Sequence, residues 1–299
     1  MKKIIFQGSG VALVTPMKKD GSIDYDALGN LIEFQIKNKT DAIISCGTTG
    51  ESSVLTDKER LSVIDYTIKK TARRVPVIAG TGSNDTLHAL SLSLDAQKLG
   101  ADALLLVTPY YNKTSQKGLI EHYTYIADRL DIPIILYNVP SRTGISIKPE
   151  TYKVLADHPK IFAIKEASNS MGDLAKTISL CSQNLFIYSG NDELSIPMLS
   201  LGGIGVISVF ANLFPRQSHD IIEHYLEGNR EESLKLFLDS LEVINALFCD
   251  VNPIPVKTAM NFIGIPCGKC RLPLIDMDPV SMGQLKETVD KYSCKYKND

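Results

Sequence analysis

Lys165 ends the run Ile161-Phe162-Ala163-Ile164-Lys165. A bounded apolar run of this length reads as a strand buried on both faces, where low-dielectric surroundings disfavour an ammonium. From a reference pKa of about 10.4, such an amine must fall several units before it acts as a free base near neutrality. A drop of about three costs on the order of 4 kcal/mol, and a Schiff base with a carbonyl substrate is the commonest use for it. The alternative is a lysine that snorkels outward and pairs with Glu166 or another carboxylate. Other reactive side chains also follow short apolar runs. Gly47-Thr48-Thr49-Gly50-Glu51 offers exposed amides and two hydroxyls, which suit a small carboxylate and a proton hand-off. A tight turn with capping hydroxyls explains the same glycines. Further on come Thr108-Pro109-Tyr110-Tyr111, then Tyr137 with Arg142 five residues later, and Ser189-Gly190-Asn191. Taken singly, Tyr137 could be a core aromatic, Tyr110 and Tyr111 packing at a subunit contact, and Arg142 half of a surface ion pair. Hydroxyls, one arginine and one lysine at five run ends are better explained by a shared site.

The elements that must position these side chains alternate along the chain. Strand-like runs fall at 11–14, 42–45, 77–79, 103–107, 132–137, 161–165, 185–188 and 205–209. Their spacing of about 20 to 35 residues suits one helix and two short loops per unit. Thr56 with Glu59 has capping-box spacing and opens a helix through Leu61, Ile64 and Ile68. Ser83, Asn84 or Asp85 can cap the next, whose Leu87, Leu90 and Leu94 share a face and which closes at Gly100. Eight such units predict an α/β fold of the (β/α)₈ TIM-barrel type rather than an open doubly wound sheet. No GxGxxG follows the first strand and no GxxxxGK[ST] occurs, which weakens a nucleotide-binding reading. After an eighth helix at 217–227 the strand rhythm stops. A helical period at 232–248, a break at Pro253 and Pro255, and helices near 256–263 and 279–292 predict a C-terminal three-helix extension. The chain thus divides into a barrel, 1–228, and an extension, 229–299.

Several chemistries are disfavoured. His88, His122, His158, His219 and His224 lie in predicted helices or on the far side of the barrel, so no metal cluster gathers at the strand ends. An amine nucleophile is the better engine. Cys46, Cys181 and Cys249 read as buried thiols, and Cys294 lies in a polar tail. Cys267 and Cys270 have redox or metal spacing, but no second pair, histidine or following helix completes such a site. With 299 residues, 44% hydrophobic and a net charge of −2, the chain can bury a large core and has no polyanion-binding character. No nucleic acid partner is expected. No apolar stretch approaches a membrane span, and the leader-like start at Met1 to Phe6 is cut short by Gln7-Gly8-Ser9-Gly10. A soluble, cytoplasmic protein is expected.

At the reactive residues the chain resembles a known family. GTTGE at 47–51, VTPYYN at 107–112, YNVPSRTG at 137–144, IKEAS at 164–168 and GVISV at 205–209 are similar to the dihydrodipicolinate synthases, within the wider N-acetylneuraminate lyase family. The resemblance runs the whole length, helical tail included. It implies that Lys165 forms an imine with pyruvate and that the Thr48 and Thr49 amides hold the pyruvate carboxylate. It also implies a proton relay of Tyr137, Thr48 and Tyr111, with Tyr111 supplied by a neighbouring subunit. Arg142 would bind the carboxylate of aspartate semialdehyde, and Gly190 and Ile207 would line the pocket through their main chain. No cofactor and no metal are implied, and the assembly would be a homo-oligomer, a tetramer built as a dimer of dimers. Sugar-acid lyases of the wider family typically have serine where Thr48 stands and lack the arginine matching Arg142. In relatives inhibited by lysine, a glutamate meets the ligand's amino group. Here His88 stands in its place, with Arg60 where a histidine is common, which predicts an enzyme largely insensitive to lysine.

Overall fold

The computed structural model describes residues 2–181 and 184–296. Eight strands among them, β1 Gly8–Ala12, β2 Ala42–Ser45, β3 Val77–Gly80, β4 Ala103–Val107, β5 Ile134–Asn138, β6 Ile161–Glu166, β7 Phe186–Ser189 and β8 Gly205–Ser208, form one parallel sheet closed into a barrel in sequence order. Each expected strand exists, with ends moved by up to three residues. The largest shift is β1, which starts at Gly8 because its pairing with β8 begins there, Gly8 opposite Gly205. A Cβ at Gly205 would lie 2.1 Å from the Gly8 carbonyl oxygen, so the closing seam requires glycine. Val14 has already left the sheet, its amide donating to Asn212 Oδ1 at 3.0 Å.

Helices α1 Tyr25–Lys37, α2 Asp57–Thr71, α3 Thr86–Leu99, α4 Gln116–Ala127, α5 Pro140–Thr143, α6 Pro149–Ala156, α7 Met171–Cys181, α8 Ser195–Ser200 and α9 Pro215–Leu226 connect the strands and follow the last. Their punctuation agrees with the sequence. Thr56 and Glu59 make both halves of a capping box on α2, Asp85 caps α3 through two amides, and Gly100 closes α3 in the left-handed region at φ 96°. The extension holds α10 Arg230–Ala246, α11 Ile254–Phe262 and α12 Pro279–Lys295. Cys249 is exposed rather than buried, because α10 ends at Ala246 and its apolar face does not continue that far.

Strand side chains alternate between two cores. Ile43, Leu104, Ile134, Leu136 and Ile164 face the helices, in the same core as Phe237, Val243 and Val289 of the extension. Ile44, Leu105, Ile135, Tyr137, Ala163 and Ile207 point into the barrel. Phe6 and Tyr188 stack at 4.3 Å inside it, and the Tyr188 hydroxyl donates to the Phe6 carbonyl at 2.6 Å. No helix among the described residues is long and apolar enough to cross a membrane.

Candidate active site

The pleat decides where Lys165 goes. Ala163 faces the barrel interior and Ile164 the helices, so Lys165 turns inward and Glu166 outward. In register, Tyr137 of β5 and Tyr188 of β7 flank Lys165. The amine lies 4.5 Å from the Tyr137 ring centroid and the residue is 5% exposed. Burial lowers its pKa from 10.5 to about 8, Arg142 pushes the same way, and Asp192 opposes them. Snorkelling onto Glu166 does not occur. That carboxylate accepts from Asn138 Nδ2 at 2.9 Å, the Ser168 amide at 2.7 Å and the Tyr152 hydroxyl at 3.2 Å, tying strands β5 and β6 together from outside.

Thr48, Thr49 and Tyr137 reach the same strand ends. Within the 47–51 turn, the Gly50 and Ser52 amides donate to the Gly47 carbonyl and the Glu51 amide to that of Thr48. The Thr48 and Thr49 amides have no acceptor among the described residues, so the turn presents two free donors. A small cavity of about 40 Å³ behind it is lined by Thr48, Tyr137 and Arg60. Burial raises the Tyr137 phenol above its ordinary pKa, while Arg142 and Thr48 pull it back. Arg142 stands on the one-turn α5 and forms no ion pair among the described residues. Its Nη2 donates to the Asn252 carbonyl at 3.1 Å, leaving the rest of the fork available.

Gly190 follows β7, and its amide donates to the Glu166 carbonyl at 2.7 Å. A Cβ there would meet Ala167 Cβ at 2.8 Å and the Glu166 carbonyl at 3.0 Å. Ile207 is fully buried in β8 opposite Gly10. An open cleft of about 590 Å³ rises beside these residues, bounded by Ser141, Ala167, Asn191, Asp192, Asn245 and Phe248, so α10 forms one wall. Tyr111 does not join the cluster. It is 92% exposed with φ at 69°, and its side chain stands clear of its own barrel.

Three contributors were not anticipated. Asp192 is 5% exposed, and its Oδ2 accepts from the Val209 and Phe210 amides at 2.9 and 3.1 Å. Burial raises its carboxyl pKa, so both Asp192 and Lys165 are pushed toward their uncharged forms. Asn252 of the extension donates through Nδ2 to Thr49 Oγ1 at 3.0 Å, and Lys257 forms a buried ion pair with Glu51 at 2.8 Å. The break at Pro253 marked this segment in the sequence, but nothing local said that it folds back over the barrel mouth.

The remaining reactive groups lie elsewhere. Cys267 and Cys270 are free thiols whose pKa values burial pushes up to about 12, which opposes thiolate chemistry. His219, Asp220 and Glu223 approach one another on α9, but His219 Nδ1 bonds to Asp41, just before β2 at the opposite end of the barrel. His88 and Arg60, on which the expected insensitivity to lysine rests, are both engaged by other groups. His88 Nε2 meets Asp57 at 2.9 Å, placing a carboxylate beside the imidazole. Arg60 is turned inward, donating to the Gly80 and Gly82 carbonyls at 2.8 and 3.2 Å.

The chain as a whole is similar to known proteins. Residues 5–292 match the profile of the dihydrodipicolinate synthetase family. The chain is 54% identical to 4-hydroxy-tetrahydrodipicolinate synthase of Acetivibrio thermocellus over 98% of this chain and 99% of that protein. It is 55% identical to the protein of the same name from Caldicellulosiruptor saccharolyticus, again over 98% and 99%. The crystal structure of dihydrodipicolinate synthase from Aquifex aeolicus superposes with a TM-score of 0.94 at 44% identity, covering 96% of this chain and 98% of that one.

Proposed function

Because the chain belongs to the dihydrodipicolinate synthetase family, we propose that its strand-end site carries out that family's chemistry through Lys165. The reaction is the condensation of pyruvate with aspartate semialdehyde to 4-hydroxy-tetrahydrodipicolinate, a step of lysine and diaminopimelate biosynthesis. The neutral amine of Lys165 adds to the pyruvate carbonyl and water leaves, giving an imine. The imine loses a methyl proton to become an enamine, whose carbon attacks the aldehyde. The amino group of the bound semialdehyde then attacks the imine carbon, closes the ring and displaces Lys165.

The free amides of Thr48 and Thr49 take the pyruvate carboxylate. Tyr137 and Thr48 pass protons between the reacting atoms and solvent, with Tyr111 of a second copy completing the relay. Arg142 grips the semialdehyde carboxylate, and the main chain of Gly190 and Ile207 lines the pocket. The residues 1–228 form the catalytic barrel, and the extension at 229–299 supports its mouth. The assembly is a homo-oligomer, a tetramer as a dimer of dimers, and works in the cytoplasm.

One observation carries the reading. Lys165 is buried in the layer of Tyr137 with its pKa brought down to about 8, so a useful fraction is a free amine at neutral pH. Pyruvate with borohydride should add a reduced pyruvyl mass at Lys165, and Lys165→Ala should abolish it. Label on another lysine, or no turnover in an assay with both substrates, would overturn the reading.

A further inference from the structure

The turn that offers the two free amides is held from outside by the extension. Glu51 ends this turn in the left-handed region, φ 56°, and is 2% exposed. Both its carboxylate oxygens are engaged: Oε1 accepts from Lys257 Nζ at 2.8 Å and Oε2 from the Arg271 amide at 2.9 Å. Lys257, on α11, is 1% exposed. Its ammonium has three protons to donate and meets three acceptors, Glu51 Oε1, the Thr15 carbonyl at 3.2 Å and the Lys269 carbonyl at 2.7 Å. Thr15 in turn donates through Oγ1 to the Gly50 carbonyl at 2.7 Å. The chain after β1, the 47–51 turn, α11 and the segment before Arg271 therefore meet at one nitrogen.

Stability alone is a weak account of this arrangement. Buried ion pairs can often be replaced by apolar side chains of similar volume without loss. What apolar packing cannot supply is direction. Here the pair fixes a non-glycine residue of positive φ directly after Thr48, Thr49 and Gly50, and so fixes where the two amides point.

We propose that Lys257 is a positioning residue: its ion pair with Glu51 sets the direction of the Thr48 and Thr49 amides, so the extension governs pyruvate affinity. This rests on the reading that those amides take the pyruvate carboxylate. Lys257 touches no substrate atom in this account. It acts through the turn, and its removal should alter pyruvate capture more than anything else.

The test is the double variant Lys257→Met with Glu51→Gln, which leaves no unpaired buried charge. Half-saturating pyruvate is read from borohydride-trapped mass at Lys165, beside KM for each substrate and a thermal unfolding curve. Half-saturating pyruvate should rise about tenfold, with kcat at saturating pyruvate and KM for the semialdehyde within about threefold. Glu51→Gln alone keeps an acceptor for Lys257 and should raise it only about twofold to threefold. A folded double variant with unchanged pyruvate half-saturation, or with equal losses for both substrates, overturns the proposal. Should the double variant not fold, Glu51→Gln alone decides, and unchanged half-saturation there overturns it. Wild-type protein that takes no pyruvate at Lys165 would instead overturn the underlying reading.

Discussion

A protonated lysine cannot attack a carbonyl, so under the proposed function the burial of Lys165 translates into rate. With its pKa near 8 rather than 10.5, the free-amine fraction at pH 7 rises about 300-fold, for roughly 3 kcal/mol of selective destabilisation of the ammonium. The free amine grows as pH rises through about 8 and is lost below it. Asp192 works against this by favouring the ammonium. Asp192→Asn, which can still accept from the Val209 and Phe210 amides, should therefore move the pH profile of imine formation to lower pH. A shift to higher pH would contradict the assigned electrostatics. Arg142 belongs to the same scale. Its fork is anchored at one nitrogen by the Asn252 carbonyl, and a lysine offers neither that anchor nor a bidentate grip. Arg142→Lys should lower kcat/KM for the semialdehyde about tenfold to a hundredfold, with pyruvate capture little changed. Equal loss for both substrates would make the arginine structural.

At the scale of elements, the site is a set of strand ends whose heights must agree. The β5–β6 and β6–β7 registers place Tyr137, Lys165 and Tyr188 in one layer, and Glu166 locks that register from behind. Gly190 is the tightest point of this lock, its amide bonded to the Glu166 carbonyl with no room for a Cβ. Gly190→Ala should cost about 1–3 kcal/mol by overpacking and should also reduce pyruvyl labelling, because the strand carrying Lys165 must yield. Denaturant unfolding and mass analysis of the trapped adduct measure the two effects. Unchanged stability would mean that the strand ends are looser than their packing implies.

The whole molecule raises the question of the second copy. Tyr111 is exposed with a left-handed backbone, and the proposed function assigns it to the site of a second copy. Tyr111→Phe should lower turnover by at least about tenfold with pyruvate capture nearly intact, as loss of a proton-relay hydroxyl does. Sedimentation at assay concentration should show at least a dimer, and a fully active monomer would contradict the trans role. Lysine sensitivity is also decided at this scale. Asp57 is engaged by His88, and the helix carries no glutamate there, so millimolar lysine should leave turnover largely unchanged. Clear inhibition at low millimolar lysine would show that Asp57 supplies the missing charge.

The sequence by itself determined the barrel, the order of its strands and the ends at which reactive side chains gather. Those properties are local: apolar runs, capping residues such as Thr56 and Asp85, and the pleat's period of two, which sends Lys165 inward once the strand is recognised. It did not determine the start of β1, because the Gly-Ser-Gly segment has little strand preference and pairs only when the barrel closes on Gly205. Nor did it reveal Asn252, Lys257 or Asp192. The partners of Asn252 and Lys257 lie far along the chain, 203 residues away at Thr49 and 206 at Glu51, and those of Asp192 lie past the end of the next strand, 17 and 18 residues on. Such contacts leave no periodicity to read. Only the fold shows that α11, a helix following the barrel, has its one buried ammonium on the 47–51 turn.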